Sequence, residues 1–312
     1  MDFIAYLDRF PEPGETVIGK GFVSAPGGKG ANQAVSACRL GANCFLVSKV
    51  GSDFVGESLL KSAMRNGIDI HYVSKDPRSH SGVAVIYVNA RGENMIAVSP
   101  GVDQLISEED VIAAKEAISS STAVLAQLEI PPKTAEFAMK YARSLGRTTI
   151  LNPAPASELD EGAFRYIDYL TPNRGELARL TGMKVADDRS ILKAASSLIE
   201  RGLENVIVTL GKRGAMIVTR SEHELIPSYD VNVVDTVGAG DAFNGAFAVA
   251  ISLGCETHPA VEFANLIAAL KTTKKGAQEG LPTISESLYF AKAHGIDVVP
   301  KILGDSNGVG LS

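Results

Sequence analysis

The sequence predicts an α/β fold, with a mostly parallel sheet that carries helices on both faces and a small additional β-sheet. Apolar β-branched runs alternate with helical patterns from Cys44 onward, while two other segments have the pattern of extended chain. A length of 312 residues with 45% hydrophobic composition is sufficient for one large core. We therefore expect a single domain over residues 1–312, with lid segments inserted at about 4–24 and 81–100.

Five apolar runs predict the buried strands of the main sheet. They are FLVSKV (45–50), AVLAQL (123–128), TTILNP (148–153), IDYLTP (167–172) and NVIVTLG (205–211). Helical spacing of apolar residues predicts helices at 55–66, 107–118, 133–145, 174–181 and 190–201. Strands that alternate with helices pair in parallel, because each helix returns the chain to the same end of the sheet.

Two segments interrupt this alternation. GVAVIYVNARGENMIAVSPG (82–101) predicts two strands joined by a turn at 89–93, and TVIGKGFVSAPGG (16–28) is also extended. Because both break the regular alternation, we expect a small separate sheet that could cover a site. GETVIGKG (14–21) nearly fits a phosphate-binding loop, but Gly21 stands where that motif needs a hydroxyl, and the segment has a strand pattern.

Composition excludes several classes of partner. A net charge of −6 gives no electrostatic basis for binding nucleic acid or an anionic membrane. The three cysteines, Cys38, Cys44 and Cys255, match no metal motif, so reduced thiols are expected. We expect a cytoplasmic protein, with an organelle-targeted precursor as the alternative, and a loose tail over the last dozen residues, GDSNGVGLS with its lead-in (301–312).

The stretch VVDTVGAGDAFNGAF (233–247) predicts a strand, a glycine turn and a helix. The β-branched run at 231–235 forms the expected strand, and 242–253 the expected buried helix. Gly238 and Gly240 lack a Cβ atom, so a ligand could approach the amides of the helix N-terminus, which favour an anion. A carboxylate beside such a site, Asp241, suits the removal of a proton from a hydroxyl that attacks a phosphate.

A second glycine turn lies in PGGKGANQAVSACRLG (26–41). Here Gly27, Gly28 and Gly30 precede a helix of small residues, and Lys29 and Asn32 offer donors and an acceptor suited to a polyhydroxyl ligand. The alternative is a glycine-rich turn that only lets the helix pack closely.

Further polar residues follow the predicted strands, at the edge where open α/β sheets bind ligands. Asn173 and Glu176 share the first turn of a helix, where they could bind magnesium water or a nucleotide phosphate, or simply form a capping box. Glu129 could reach a substrate hydroxyl or face solvent. VTLGKRG (208–214) and KKGAQEG (274–280) are glycine turns that could equally be plain loops.

Taken together, these motifs resemble the PfkB-type carbohydrate kinase family. GGKGANQAVSACRLG is similar to that family's N-terminal signature and DTVGAGDAF to its C-terminal one, with NPAPASEL, TPNRGE, VTLGKRG and KKGAQ in the expected order. The resemblance extends from Asp2 to about Thr283. NPAPA, GGKGANQA and KGAQ favour the members that phosphorylate ribose over those that act on fructose or adenosine.

The resemblance implies a role for each matching position. Asp241 is implied to be the base that deprotonates the 5-hydroxyl of ribose, and the amides of Gly238, Ala239 and Gly240 to hold the transferring phosphate. The implied sugar contacts are Asp2, Gly28, Lys29, Asn32, Glu129 and Asp241. The implied ATP contacts are Asn173, Thr209, Gly211, Gly240 and Asn265. Glu176 is implied to act on magnesium-bound water, and an activating potassium ion is implied at Asp235, Val237, Lys271, Lys274, Gly276 and Gly280.

The sequence departs from the family pattern at two places. The chain starts at Met1-Asp2, within the family's Asn-x-Asp motif, so the Asn and the first, central strand are missing. We expect unpaired backbone groups and an uncovered apolar face beside that position, and we hypothesise a fragment or a misplaced start of a longer protein. Gly280 stands where a serine side chain normally faces potassium, which implies a weaker cation site.

The function implied by the resemblance is ATP-dependent phosphorylation of ribose to ribose 5-phosphate, by a homodimer that pairs through the lid. Lys29 and Asn32 favour a small pentose, whereas a nucleoside kinase would need more apolar and aromatic lid residues. The alternatives are another sugar or nucleoside kinase of this family, or a non-catalytic sugar- or nucleotide-binding protein or inactive fragment. Retention of Asp241 beside its glycine turn argues against a pure binder.

Overall fold

Three β-sheets organise the computed structural model, which describes residues 1–303. The strands are β1 (Asp2–Tyr6), β2 (Gly21–Ala25), β3 (Ser48–Gly51), β4 (Val73–Asp76), β5 (Val83–Val88), β6 (Asn94–Ser99), β7 (Ala123–Ala126), β8 (Thr148–Leu151), β9 (Tyr169–Leu170), β10 (Asn205–Thr209), β11 (Ala215–Val218) and β12 (His223–Ile226). The α-helices are α1 (Lys29–Arg39), α2 (Phe54–Arg65), α3 (Glu108–Ala113), α4 (Lys115–Ser120), α5 (Pro132–Ser144), α6 (Arg174–Thr181), α7 (Asp188–Glu200), α8 (Ala239–Ser252), α9 (Thr257–Thr272), α10 (Ile284–His294) and α11 (Val298–Leu303). Residues 301–303 of the predicted loose tail belong to α11 instead, and the rest of that tail lies outside the described residues.

The main sheet has the strand order β12-β11-β10-β9-β8-β7. Strands β7 to β10 pair in parallel, as the alternation of strands and helices predicts, and β11 and β12 extend the sheet as antiparallel strands. The run predicted at 167–172 forms only the two-residue strand β9. The sheet is therefore parallel from β7 to β10 and mixed as a whole.

Helices cover both faces of this sheet, and the side-chain alternation of β10 shows why. Val206 and Val208 belong to one apolar core, with residues of α5, α6 and α7, whereas Ile207 belongs to a second core with residues of α1, α8 and α9. Because successive side chains of a strand point to opposite faces, a continuous apolar run requires cover on both. This confirms the predicted α/β architecture.

The second sheet has four strands in the order β2-β1-β5-β6 and confirms the predicted small extra sheet. Strands β5 and β6 form the antiparallel hairpin predicted within 82–101. The Asn89 side chain accepts hydrogen bonds from the backbone N–H groups of Arg91 (2.9 Å) and Glu93 (3.0 Å), which fixes the turn. In the middle of the sheet, β1 pairs parallel to β5 and antiparallel to β2.

The third sheet, the parallel pair β3–β4, lies apart from the main sheet. Within residues 1–303, the edge of β3 away from β4 and the edge of β7 away from β8 pair with no strand. A cavity of about 1380 Å³ lies along them, lined by Val47, Val50 and Leu125 and reaching Gly28 and Glu129. Unpaired strand edges beside an uncovered apolar face match the expectation from the sequence.

Two predicted elements differ from the structure. The strand predicted at 231–235 is wrong: the N–H groups of Val234 and Asp235 both bond to the carbonyl of Thr272, and the segment has no strand partner. The helix predicted at 107–118 is two short helices, α3 and α4, which meet at the buried Ala114. FLVSKV becomes a strand only from Ser48 onward, and its prediction as a strand of the main sheet is wrong, because β3 pairs with β4 in a separate sheet.

The remaining observations concern cysteines and membrane segments. All three cysteines are free, as predicted. Among the helices of the described chain, none is long and apolar enough to cross a membrane.

Candidate active site

The two glycine-rich stretches meet where α1 and α8 begin. Asp241, in the first turn of α8, is 7% exposed and accepts hydrogen bonds from Asn32 Nδ2 (2.9 Å) and Gln33 Nε2 (3.0 Å) of α1. Hydrogen bonds from two amide groups hold the carboxylate in one orientation. The structure thus brings together Asn32 and Asp241, which the sequence had assigned to one site.

Glycines set the geometry of both helix starts. Gly28 and Gly238 precede α1 and α8 with φ of 93° and 80°, a region that favours glycine. A Cβ atom on Gly245 would lie 2.5 Å from Ser36 Cβ and 2.6 Å from the Gln33 carbonyl oxygen, so α8 passes very close to α1. This close packing holds the polar residues of α1 against Asp241.

A network of buried amides surrounds Asp241, and the sequence reasoning missed it. Gln33 Nε2 also donates to Asn152 Oδ1 (3.0 Å), and Gln33 Oε1 accepts from Gln127 Nε2 (2.6 Å). Gln278 Nε2 donates to Asn32 Oδ1 (2.9 Å). Of these residues, Asn152 carried the clearest indication, because it stands at the end of a predicted strand. The network fixes the orientation of both amides that bind Asp241.

Acidic side chains line the cavity beside this network. The backbone N–H of Lys29 donates to Glu129 Oε2 (2.7 Å). The Asp2 carboxylate packs against Gly27, where an added Cβ atom would lie only 2.6 Å from either carboxylate oxygen. Burial raises the pKa of Asp2 and of Glu129. Burial and the nearby Glu129 raise the pKa of Asp103 to about 6. Such acceptors suit the hydroxyl groups of a small polar ligand.

The glycine turn before α8 is open on its ligand side. Apart from its chain neighbours and the backbone of α8 itself, no atom of the described chain lies within 4 Å of the position that a Cβ atom on Gly240 would take, while Gly238 packs against the backbone of Ala277. The Ala239 N–H donates to the Thr236 carbonyl (3.1 Å), and the Gly240 amide belongs to the first turn of α8, which carries a partial positive charge. An anion can therefore bind next to Asp241.

The predicted nucleotide residues lie at the ends of β9 and β10. Asn173 and Glu176 form a capping box, with Asn173 Oδ1 accepting from Glu176 N (2.9 Å) and Glu176 Oε2 from Asn173 N (2.8 Å). Asn173 also forms a backbone bridge with Thr209, two residues before the Gly211 turn. Burial raises the pKa of Glu176, and its charge interacts with those of Lys29 and Asp241.

Asn265 lies on α9. It is buried, and its Nδ2 donates to the carbonyls of Ile226 (3.0 Å) and Pro227 (3.3 Å) at the end of β12. Its observed contacts therefore fix the backbone that follows β12.

The residues implied for potassium surround an ammonium group. Lys271 Nζ donates to the carbonyl oxygens of Asp235 (3.0 Å) and Lys274 (3.2 Å), and it lies 3.9 Å from Asp235 Oδ2. Asp235 also accepts from the N–H groups of Val237 (3.0 Å) and Gly276 (2.9 Å). The Lys271 ammonium already bonds to two of the carbonyl oxygens that the resemblance implies as potassium ligands. The residues present therefore do not fit a potassium ion.

Comparison with known proteins identifies the family. A model of the pfkB family of carbohydrate kinases matches residues 1–284. The chain belongs to this family of carbohydrate kinases.

Within the family, the similar proteins are pentose kinases by name. The chain is 38% identical over 289 residues to a ribokinase from Haemophilus influenzae, with 93% of this chain and 94% of the relative covered. It is 39% identical over 287 residues to a deoxyribokinase from Salmonella typhi, at 92% and 94% coverage. The structure of Arabidopsis thaliana ribokinase complexed with ribose and ATP matches with a TM-score of 0.87 and 30% identity, covering 93% of this chain and 95% of that one.

Proposed function

We propose that this protein phosphorylates D-ribose on its 5-hydroxyl with ATP as the donor. The observation that carries the proposal is the buried Asp241 carboxylate, which two amides hold beside the open N-terminus of α8. A non-catalytic binder would gain nothing from a carboxylate next to an anion site. The similarity to ribokinases over more than nine-tenths of the chain supports the same conclusion.

In this mechanism, Asp241 accepts the proton of the attacking hydroxyl. Proton removal by a positioned carboxylate accelerates such reactions by roughly 10²–10⁴-fold. The amides of Gly238, Ala239 and Gly240 bind the phosphoryl group, whose charge the first turn of α8 stabilises. The hydroxyl must lie between the carboxylate and these amides, which explains why an acidic residue lies beside an anion site.

Asn173, Thr209 and Gly211 are the residues that we assign to ATP, with Asn265 supporting the nearby backbone. Magnesium neutralises phosphate charge when bound, and Glu176 would hold its water ligands. Within residues 1–303 no group of three or more acidic, His or Cys side chains could hold a metal ion alone. This suits magnesium bound mainly through phosphates and water, as is usual for this ion.

The proposed sugar residues are Asp2, Gly28, Lys29, Asn32 and Glu129. Glu129 and Asp2 line the cavity and supply acceptors for sugar hydroxyls, and Asn32 is bonded to Asp241. The deoxyribokinase relative, as similar as the ribokinases, makes 2-deoxyribose the second candidate substrate. Comparing the two pentoses will show whether the 2-hydroxyl contributes to binding.

We also propose that residues 1–312 act as one kinase domain whose four-stranded sheet is a lid and dimer surface. Asp2 and Ala84 of this sheet line the cavity, so the sheet borders the sugar site. Large apolar side chains on it are exposed, among them Phe22 and Val98. A second copy that packed on the sheet would bury them.

The test is ADP release from ATP and magnesium in the presence of ribose, 2-deoxyribose, fructose or adenosine. We expect pentose-dependent turnover, reduced about 10²–10⁴-fold in Asp241→Asn because the base is lost. Asp160→Asn, at an exposed aspartate that bonds to Lys133 and to no proposed site residue, serves as the control and should keep its activity. Equal turnover by the Asp241→Asn variant would rule out the assigned base.

The substrate comparison separates the candidates. A higher kcat/KM for ribose supports the proposed substrate, and a higher value for 2-deoxyribose supports the second candidate. Turnover only with adenosine would contradict both. Absence of turnover with all four compounds, together with a folded protein, would contradict the kinase proposal.

A further inference from the structure

Lys271, near the C-terminus of α9, has no exposed surface. Burying an ammonium group is costly unless hydrogen bonds and an opposite charge compensate for the lost water. Here the carbonyls of Asp235 and Lys274 accept two of its N–H groups, and the Asp235 carboxylate lies 3.9 Å away. The ammonium is therefore surrounded by the oxygen ligands that a hard monovalent cation prefers.

Gly280 leaves room for this side chain. A Cβ atom on Gly280 would lie 3.0 Å from Lys271 Cε and 2.7 Å from the Gly276 carbonyl oxygen. A larger residue at position 280 would therefore push against the lysine. The departure from the family pattern at Gly280 and the buried lysine beside it are therefore sterically linked.

The ammonium also connects the two loops beside the anion site. Asp235 lies three residues before Gly238, and the Val237 N–H donates to its carboxylate. The loop that contains Lys274 continues to Ala277, whose backbone supports Gly238. By bonding to Asp235 and Lys274, Lys271 holds both loops in place.

We propose that the Lys271 ammonium replaces the activating monovalent cation, so that this enzyme works without potassium. The inference rests on the proposed kinase function for its activity readout. A tethered ammonium is present at a high effective concentration, whereas a free ion must bind from solution. Lys271 acts as a positioning residue, since it orders the loops beside the phosphate site without touching substrate.

The first test measures pentose-dependent turnover in potassium, sodium and tetramethylammonium chlorides at equal ionic strength. We expect the three rates to agree within about twofold, because the protein supplies its own cation. A decrease of about tenfold or more without potassium would overturn the proposal, since a loss of that size is typical for one charge-assisted interaction.

The second test replaces the Lys271 ammonium by a binding site for a free cation. Lys271→Ala with Gly280→Ser removes the ammonium and adds a hydroxyl ligand. We expect turnover to fall about tenfold or more in tetramethylammonium and to recover with potassium. The unfolding temperature of this variant should rise with potassium and not with tetramethylammonium, because an ion that binds only the folded state stabilises it. Lys292→Ala, an exposed lysine on α10, is the control of equal charge change and should respond to neither salt.

The two readouts separate this proposal from the proposed function. A folded double variant whose unfolding temperature ignores potassium would overturn the cation replacement, whatever its activity. Wild-type turnover that requires potassium would overturn it while leaving the kinase function intact. If no sugar is turned over, the kinase function fails, and the unfolding temperatures still decide whether Lys271 stands in for an ion.

Discussion

Gln33 uses every polar atom of its amide in the buried network around Asp241. Its Nε2 donates to Asp241 and to Asn152, and its Oε1 accepts from Gln127. Reversing the amide would place an oxygen against the Asp241 carboxylate, so only one orientation satisfies all three partners. Gln33 therefore fixes one oxygen of the proposed base.

Replacing Gln33 by leucine keeps the side-chain volume and removes this hydrogen bond. We expect kcat to fall about 10- to 100-fold, because a hydrogen bond to a charged group contributes roughly 1.5–3 kcal/mol. KM for ATP should change little, since Gln33 faces Asp241 rather than the nucleotide residues. Steady-state kinetics with ribose will measure both constants.

Asn205→Leu is the control for Gln33→Leu. Asn205 Nδ2 donates to the Asp168 carbonyl (3.0 Å), so this variant also loses an amide hydrogen bond, outside the site. A similar loss of kcat in both variants would show that the Gln33 effect comes from general destabilisation.

Asp103 predicts a pH dependence of stability. Its pKa in the folded protein is about 6, above the usual 3.8, because of burial and the nearby Glu129. The folded state therefore keeps a proton that the unfolded chain has already lost, and the contribution of Asp103 to stability falls as pH rises from about 4 to about 6. Asp103→Asn should flatten this decline and stabilise the protein above that range, as measured by urea unfolding at several pH values.

Asp188 provides a control of opposite sign. A hydrogen bond from Arg213 lowers the pKa of Asp188, so its contribution to stability is present above the usual pKa and is lost as pH falls. Asp188→Asn should therefore not stabilise the protein at neutral pH. An unchanged pH profile in Asp103→Asn would contradict the raised pKa.

Among individual residues, the charged side chains and the glycines of the site were easier to predict from the sequence than the glutamine side chains. Asp241, Lys29 and Asn32 stand in motifs whose composition already suggests their chemistry. Gln33 and Gln278 were missed because their partners lie far along the chain, 208 residues from Gln33 to Asp241 and 246 from Gln278 to Asn32. No local pattern encodes such contacts.

Among the helices, α1 and α8 determine the geometry of the site through their close approach at Gly245. Because the contact involves the Gln33 carbonyl as well as Ser36, a side chain at 245 cannot be accommodated by a rotamer change alone. The spacing of the proposed sugar residues on α1 from the proposed base on α8 therefore depends on one missing methyl group.

Gly245→Ala should separate these helices. We expect a loss of about 1–3 kcal/mol in the free energy of unfolding from overpacking, together with a lower kcat as Asp241 moves from Asn32. Adding Ser36→Gly should recover part of the stability, since it removes the closest side-chain contact. Urea unfolding and steady-state kinetics of the three proteins will test this.

Gly162→Ala is the matched control for Gly245→Ala. The nearest atom to its added methyl group is Arg165 Nη2 at 3.5 Å, the end of a flexible side chain. Equal losses of stability in both alanine variants would contradict the proposed steric cause.

Helices and strands with a regular apolar pattern were predicted well. The strand predicted at 231–235 does not form, because no described strand lies beside it. α6 and α7 follow capping boxes that the structure contains. The residues at 231–235 have β-branched side chains, yet Val233 and Val234 are exposed and their backbone runs beside the end of α9. Strand propensity depends on a neighbouring strand, which the sequence pattern does not reveal.

For the molecule as a whole, the four-stranded sheet is the most apolar exposed surface among the described strands. Val98 is 69% exposed, Phe22 66% and Ile96 57%. Adjacent residues of a strand point to opposite faces, so Met95 and Ile96 on β6 present apolar groups on both sides. A dimer through this sheet would remove this surface from water.

Met95→Glu with Ile96→Glu places a charge on each face of β6. We expect this variant to be monomeric where the unmodified protein is dimeric, because a buried unpaired carboxylate is costly. Sedimentation or light scattering will measure the mass. Phe54→Glu, at an exposed apolar residue on α2, should leave the mass unchanged. A monomeric unmodified protein at micromolar concentration would contradict the dimer.

The alternation of strands and helices predicted the parallel strands β7 to β10 and their helical layers, but it wrongly added the FLVSKV run to this sheet. The order of strands was not predictable, since β11 and β12 add to the sheet as antiparallel strands and, within residues 1–303, β3 pairs with β4 alone. The pairing of β1 with β5 joins residues more than 80 positions apart, which depends on the packing of the whole chain.

The separation of β3–β4 from the main sheet has a consequence for the dynamics of the native state. No ladder of hydrogen bonds in residues 1–303 joins β3 to β7, so opening β3, β4 and α2 breaks no bond of the main sheet. Local unfolding follows such boundaries. The amide protons of β3 and β4 should therefore exchange with solvent well before those of β8 and β10, and a protease should first cut the native protein in this smaller unit.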